Sequence, residues 1–242
     1  MPESWLLSVD IGVRNLGIAL LLLPGRADAP AELVDTRVLD TGKAADATDA
    51  IRLVLLAMEA LMSDASAPYR QLTEGGALPL DVVVENQPAY VNPRMRAVQA
   101  AVQAFFFLRL PAARQHLAAA NSKTALAAEV ILGRRGAKAK EVAKDYKGTK
   151  RATIVALTQL LATSGPRPPR PPETDATVVV EQTVVGEQTV IDRGGAVAAA
   201  IRAAKKRDDM CDAVMQGLSH AVTRGLCIVR NGHASRPCTP AP

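Results

Sequence analysis

Aromatic side chains are scarce in this chain: three Phe, three Tyr and one Trp in 242 residues. Proteins that grip single-stranded nucleic acid stack bases on aromatic rings, and seven rings leave few to spare once a core is built. If the partner is a nucleic acid, phosphate contacts and shape must carry its recognition. Cysteine is equally sparse. Cys211, Cys227 and Cys238 form an odd set without C-x-x-C spacing, which excludes a disulfide framework and a zinc module. His116, His220 and His233 are scattered and suggest neither a metal cluster nor a Ser-His dyad. No stretch approaches the ~20 apolar residues of a membrane span, and no basic region precedes an apolar run at the N-terminus, as a signal peptide requires. Around Gly12 and Gly17 there is neither G-K-[S/T] nor G-x-G-x-x-G, so no nucleotide-phosphate loop is indicated. These absences lead us to expect a soluble, intracellular protein of a reducing compartment, with no membrane partner and no nucleotide cofactor.

What is present is an ordinary globular composition, 48% apolar and 22% charged, with a net charge of +5. The sequence pI near 9.3 points to an anionic partner, and the length suffices for one generous domain. Apolar runs at 5–9, 17–23 and 33–39, separated by turn residues, predict a three-strand meander. A helix is expected over 47–62, a buried strand over 80–85 and a helix from Arg94 to Leu108. A fifth strand near 116–120 and helices over 149–163 and 208–223 follow. Antiparallel and parallel pairings must therefore mix in an α/β domain over 1–223. A proline-rich and Val/Glu/Gln-rich segment at about 165–195 reads as an insert, extended or hairpin-like, and 224–242 as a flexible tail.

Four carboxylates carry the chemistry. Asp10 interrupts the apolar run Leu-Ser-Val-Asp-Ile-Gly, and Glu85 ends Val-Val-Val-Glu. A lone ionised carboxylate in such a setting is costly unless something compensates for it. Asp209 and Asp212, three residues apart, share a helix face, and Asp208 with Asp212 is a second possible pair. Carboxylates gathered at one point need cations between them, and hard oxygen ligands suit Mg²⁺ or Mn²⁺. A pair of such ions serves phosphodiester hydrolysis. Taken singly, each acid also fits a plain strand end or a helix start favoured by the helix dipole. The constellation is more specific than its parts.

Three blocks in order, VDIGVRNLGIAL, VVVENQPAYVNPRMRAVQAAVQAFF and KKRDDMCDAVMQG, resemble the RuvC-like Holliday junction resolvases of large DNA viruses. These are the poxvirus-type resolvases, more distantly similar to bacterial RuvC and yeast mitochondrial resolvases. The resemblance spans most of residues 5–222. It implies an RNase H-like fold with a five-stranded sheet in the order 3-2-1-4-5, the first three strands antiparallel. It also implies a homodimer that nicks four-way DNA junctions in symmetric pairs, using two divalent ions per site, Mg²⁺ or in its place Mn²⁺. Asp10, Glu85, Asp209 and Asp212 match the family's metal-binding acids, with Asp208 left open in place of Asp209. Lys123 matches the active-site lysine after the fifth strand, with Lys150 as second choice. If the source is viral, the protein would work in host cytoplasm or nucleus.

The stretch from Arg134 to Arg151 holds eight basic and two acidic residues, a concentrated cationic run suited to phosphates. Arg134, Arg135, Lys138, Lys147, Lys150 and Arg151 are the expected DNA contacts there, joined by Arg14, Arg94 and Arg96 beyond the strand ends. A solvated loop is the plainer alternative for such a run. Phe105, Phe106 and Phe107 close the second helix and suit the core plus a subunit surface. Two further functions stay open at this level: an actin-like ATPase, which would need a second D-x-G half that this chain lacks, and a non-catalytic DNA-binding scaffold. Within the enzyme class, a nuclease for RNA–DNA hybrids or other branched DNA is the nearest rival.

Overall fold

The computed structural model describes residues 2–12, 14–26, 29–64, 68–73, 78–87, 93–133, 136–162, 190–191, 196–204 and 206–227. The first three strands, β1 (Ser4–Ile11), β2 (Asn15–Leu23) and β3 (Ala31–Asp40), form the antiparallel meander. Helix α1 (Ala47–Ser63) follows, opened by Asp46, whose side chain accepts from Asp49 N. After the short α2 (Arg70–Thr73), β4 (Leu80–Asn86) returns parallel to β1, and α3 (Pro93–Arg109) leads to β5 (Arg114–Ala119), parallel to β4. Then come α4 (Ser122–Leu132), α5 (Ala139–Val142), α6 (Tyr146–Ala162), β6 (Val190–Ile191), α7 (Ala196–Ala203) and α8 (Arg207–Thr223).

The sheet order is β5-β4-β1-β2-β3-β6. The expected 3-2-1-4-5 arrangement is present, extended by a sixth strand parallel to β3. Helices α2, α4, α5 and α7 were not expected, and α6 begins earlier than the predicted 149. Helix α4 escapes pattern reading because it is enclosed on several sides: Lys123, Thr124, Leu126, Ala127, Ala128 and Val130 are all buried, so no polar stripe marks it. Residues 226 and 227 were assigned to the tail, yet Cys227 lies in the core. Most of the 165–195 insert and the tail from 228 onward lie outside the described residues.

Strand alternation sorts the chemistry onto one side of the sheet. Leu7 and Val9 of β1 and Val82 and Val84 of β4 pack with α1 and α3. Leu6 and Val83 join the opposite core, which contains α4, α6 and α8. Because side chains alternate with period two, Ser8 and Asp10 share the face of Leu6, and Glu85 that of Val83. Helix α8 lies on this face almost fully buried, from Met210 to Ser219. Gly217 lets it approach: a Cβ there would come within 2.8 Å of Leu21 and 3.0 Å of Leu6. Gln216, 1% exposed, donates from Nε2 toward Ser8 Oγ, Val9 O and Val83 O, so α8 is fastened to both central strands.

Candidate active site

Asp10 and Glu85 follow directly on the parallel pair Val9 and Val84, which sets them side by side at the ends of β1 and β4. Asp212 comes to them from α8, one turn ahead of the anchored Gln216. All three carboxylates are buried, between 4 and 8% exposed. At their centre is the ammonium of Lys123 from the first turn of α4, 2.5 Å from Asp10 Oδ1 and 3.3 Å from both Glu85 Oε1 and Asp212 Oδ2. Gln87 steadies the second acid by donating to Glu85 Oε2 at 2.6 Å, while its own backbone N–H is held by buried Gln99.

One ammonium does not balance three buried carboxylates. Burial, and then the neighbouring Asp10, push Glu85 up to about 7. Burial likewise pushes Asp212 up to about 6 against the pull of Lys123. Lys123 itself is raised above the ordinary lysine range: burial opposes this, but the charges of Asp10, Glu85 and Asp212 prevail. The lysine therefore stays charged, and the acids gain from any further cation.

Beside this cluster stands a second one. Lys150 of α6 reaches Asp208 Oδ2 at 2.5 Å and Asp209 Oδ1 at 3.3 Å. Desolvation works against the Asp208 carboxylate, yet the hydrogen bond and charge of Lys150 hold it below its usual range. Asp209 Oδ2 also accepts from Asn15 Nδ2 at 3.2 Å. Lys150, expected among the DNA contacts, is thus drawn inward to two acids.

The donor set fits hard divalent ions. It consists of carboxylate oxygens from three elements, β1, β4 and α8, and Asp212 Oδ1 is buried with no hydrogen-bond donor reaching it. Among the described residues, no three acidic, histidine or cysteine side chains are poised to hold a metal ion as they stand. The Lys123 ammonium takes the position between them.

The remaining expected residues fall into two groups. Arg14, Lys138, Lys147 and Arg151 are exposed. Half-buried Arg94 donates from Nη2 to Ala44 O, and Arg96, itself exposed, donates from Nη1 to Asn86 Oδ1, Gln87 O and Gln99 Oε1. They brace the chain around β4 and α3, a role their positions in sequence did not disclose. Arg134 and Arg135 lie outside the described residues. Asn15, Gln87 and Gln216 were not foreseen at the site, although all three stand within the motif blocks. Phe105 and Phe106 are buried, whereas Phe107 is 69% exposed.

No family model matches this chain, and no curated protein matches it by sequence. Among solved structures, the yeast mitochondrial Holliday junction resolvase Ydc2 superposes with a TM-score of 0.54 at 11% identity, over 92% of this chain and 82% of that one. The fowlpox virus resolvase, solved with substrate Holliday junction DNA, gives 0.48 at 14% identity, covering 91% of this chain and 98% of that one. RuvC of Thermus thermophilus gives 0.45 at 11%, covering 92% and 96%. The likeness to the yeast protein shows the fold, an RNase H-like sheet flanked by helices. Among the described residues, no helix is long and apolar enough to cross a membrane.

Proposed function

We propose that this protein is a metal-dependent endonuclease that resolves four-way DNA junctions by paired, symmetric nicks. The observation that carries the reading is the meeting of Asp10, Glu85 and Asp212 around one ammonium at the strand ends of an RNase H-like sheet. Asp209 stands one helical turn from Asp212. Asp10, Glu85, Asp209 and Asp212 are the residues that would hold two Mg²⁺ or Mn²⁺ ions. Bound there, such ions supply Lewis acidity toward a scissile phosphodiester.

The chain's own groups do the rest. The buried carboxylates would bind and space the cations once the Lys123 ammonium yields the centre to them, while Gln87 holds Glu85 and Gln216 holds α8 in place. Lys123, kept protonated by its acidic neighbours, offers positive charge where the phosphate gains negative charge during hydrolysis. Exposed Arg14, Lys138, Lys147 and Arg151 supply phosphate contacts that position the junction arms. Symmetric nicking requires two sites, hence a homodimer, for which exposed Phe107 and Leu108 provide apolar surface.

The test is an immobile four-way junction, end-labelled on each strand in turn and incubated with Mg²⁺. Paired nicks at symmetric positions in opposing strands are expected, with cleavage falling steeply as salt rises. An uncut junction would contradict the reading, and preferential cutting of an RNA–DNA hybrid would replace it.

A further inference from the structure

We propose that Asn15 is a positioning residue that selects Asp209, rather than its neighbour Asp208, as the metal-facing acid at the start of α8. The proposal rests on the reading of Asp209 as a site acid. Asn15 opens β2 on the same face as Gly17, Ala19 and Leu21, the last two packed in the core that contains α8. Its place is fixed from both sides. The turn before it closes through Gly12 N donating to Asn15 O at 2.9 Å, so tightly that a Cβ at Gly12 would lie 2.6 Å from that carbonyl. On the other side Asn15 is paired with Asp40 of β3, and Arg14 O accepts from Thr41 N.

Two residues on, Gly17 sits opposite Asp10 in the sheet. A Cβ there would fall 2.2 Å from Asp209 O, so the first turn of α8 rests directly on the strand backbone. Gly17 thus seats the main chain of Asp209 while Asn15 takes its side chain. The two carboxylate oxygens are then held from opposite elements, Oδ2 by Asn15 of β2 and Oδ1 by Lys150 of α6. Asp208 meets Lys150 as well, through Oδ2 at 2.5 Å.

The residue type matters. An amide N–H orients a carboxylate without neutralising it, leaving the charge for a cation. The opposite amide orientation would set oxygen against oxygen. Groups that orient a metal ligand in this way typically contribute roughly 10–100-fold in metal affinity.

A double-mutant cycle read by Mn²⁺ calorimetry tests this on the intact chain. Asn15→Ala is expected to weaken Mn²⁺ binding about ten-fold or more, with a melting temperature close to wild type, and to have no further effect in an Asp209→Asn background. Asn15→Ser, which keeps a donor of shorter reach, gives the same readout if the alanine variant does not fold. Unchanged binding in Asn15→Ala, or an equal loss in both backgrounds, would overturn the proposal. Asn15-dependent Mn²⁺ binding in a protein that cuts no junction would overturn the resolvase reading and leave this inference standing. A wild type that binds no Mn²⁺ would defeat both.

Discussion

Lys123→Met is expected to lower the melting temperature of the metal-free protein sharply and to make its stability dependent on divalent cations. Without the ammonium, Asp10, Glu85 and Asp212 face one another in a site they leave less than a tenth exposed. Breaking a buried ion pair by removing one partner costs about 3–5 kcal/mol, because the surviving charges stay desolvated and unpaired. For a chain of this size that corresponds to roughly 10 °C in melting temperature. Added Mg²⁺ restores much of the loss, so the thermal shift it produces is larger in the variant than in wild type. On the proposed reading junction cleavage falls as well, since Lys123 would no longer offer its charge to the phosphate. Thermal melts with and without Mg²⁺ read this directly. A metal-free variant that melts with wild type would show that the lysine does not compensate the acids.

The second large effect separates the five acids. Asp10→Asn, Glu85→Gln, Asp209→Asn and Asp212→Asn are each expected to reduce junction cleavage at saturating Mg²⁺ by about a thousand-fold or more, as happens when one member of a catalytic unit is removed. Asp208→Asn is expected to cut within about three-fold of wild type. Its carboxylate is engaged by Lys150 at 2.5 Å, whereas Asp209 is oriented by Asn15 as well. The losses do not add: a double variant such as Asp10→Asn with Asp212→Asn is little worse than either alone. Cleavage rates on one labelled junction measure the whole series. An inactive Asp208→Asn beside an active Asp209→Asn would reverse the assignment.

Much of the architecture was legible because local pattern and global fold agree. Alternation in β1 and β4 places Asp10 and Glu85 on the face opposite Val9 and Val84, and the D-x-x-D spacing sets Asp209 and Asp212 on one side of α8. Where a helix is enclosed on most sides, as α4 is, the polar stripe that announces helices is missing. Strand β6, two residues long, is too short to carry any period. The network around the acids is tertiary: Asn15 meets Asp209 across 194 positions and Lys123 meets Asp10 across 113, and no local rule relates such pairs. Charge runs proved ambiguous for the same reason. Lys150 and Arg151 are adjacent in a basic stretch, yet Lys150 turns inward to two carboxylates while Arg151 faces solvent. Three consecutive phenylalanines diverge likewise, two into the core and Phe107 outward.

Calorimetry of Mg²⁺ binding to the wild-type protein, repeated across pH and with Asp10→Asn, tests the convergence of these acids most directly. Glu85 near 7 and Asp212 near 6 hold protons that a divalent ion must displace. Binding is therefore expected to tighten as the pH rises from about 5.5 to about 8, with proton release on binding greatest at the low end and fading toward the high end, and to be lost in Asp10→Asn. Mg²⁺ affinity that ignores pH, or that survives unchanged in Asp10→Asn, would contradict it.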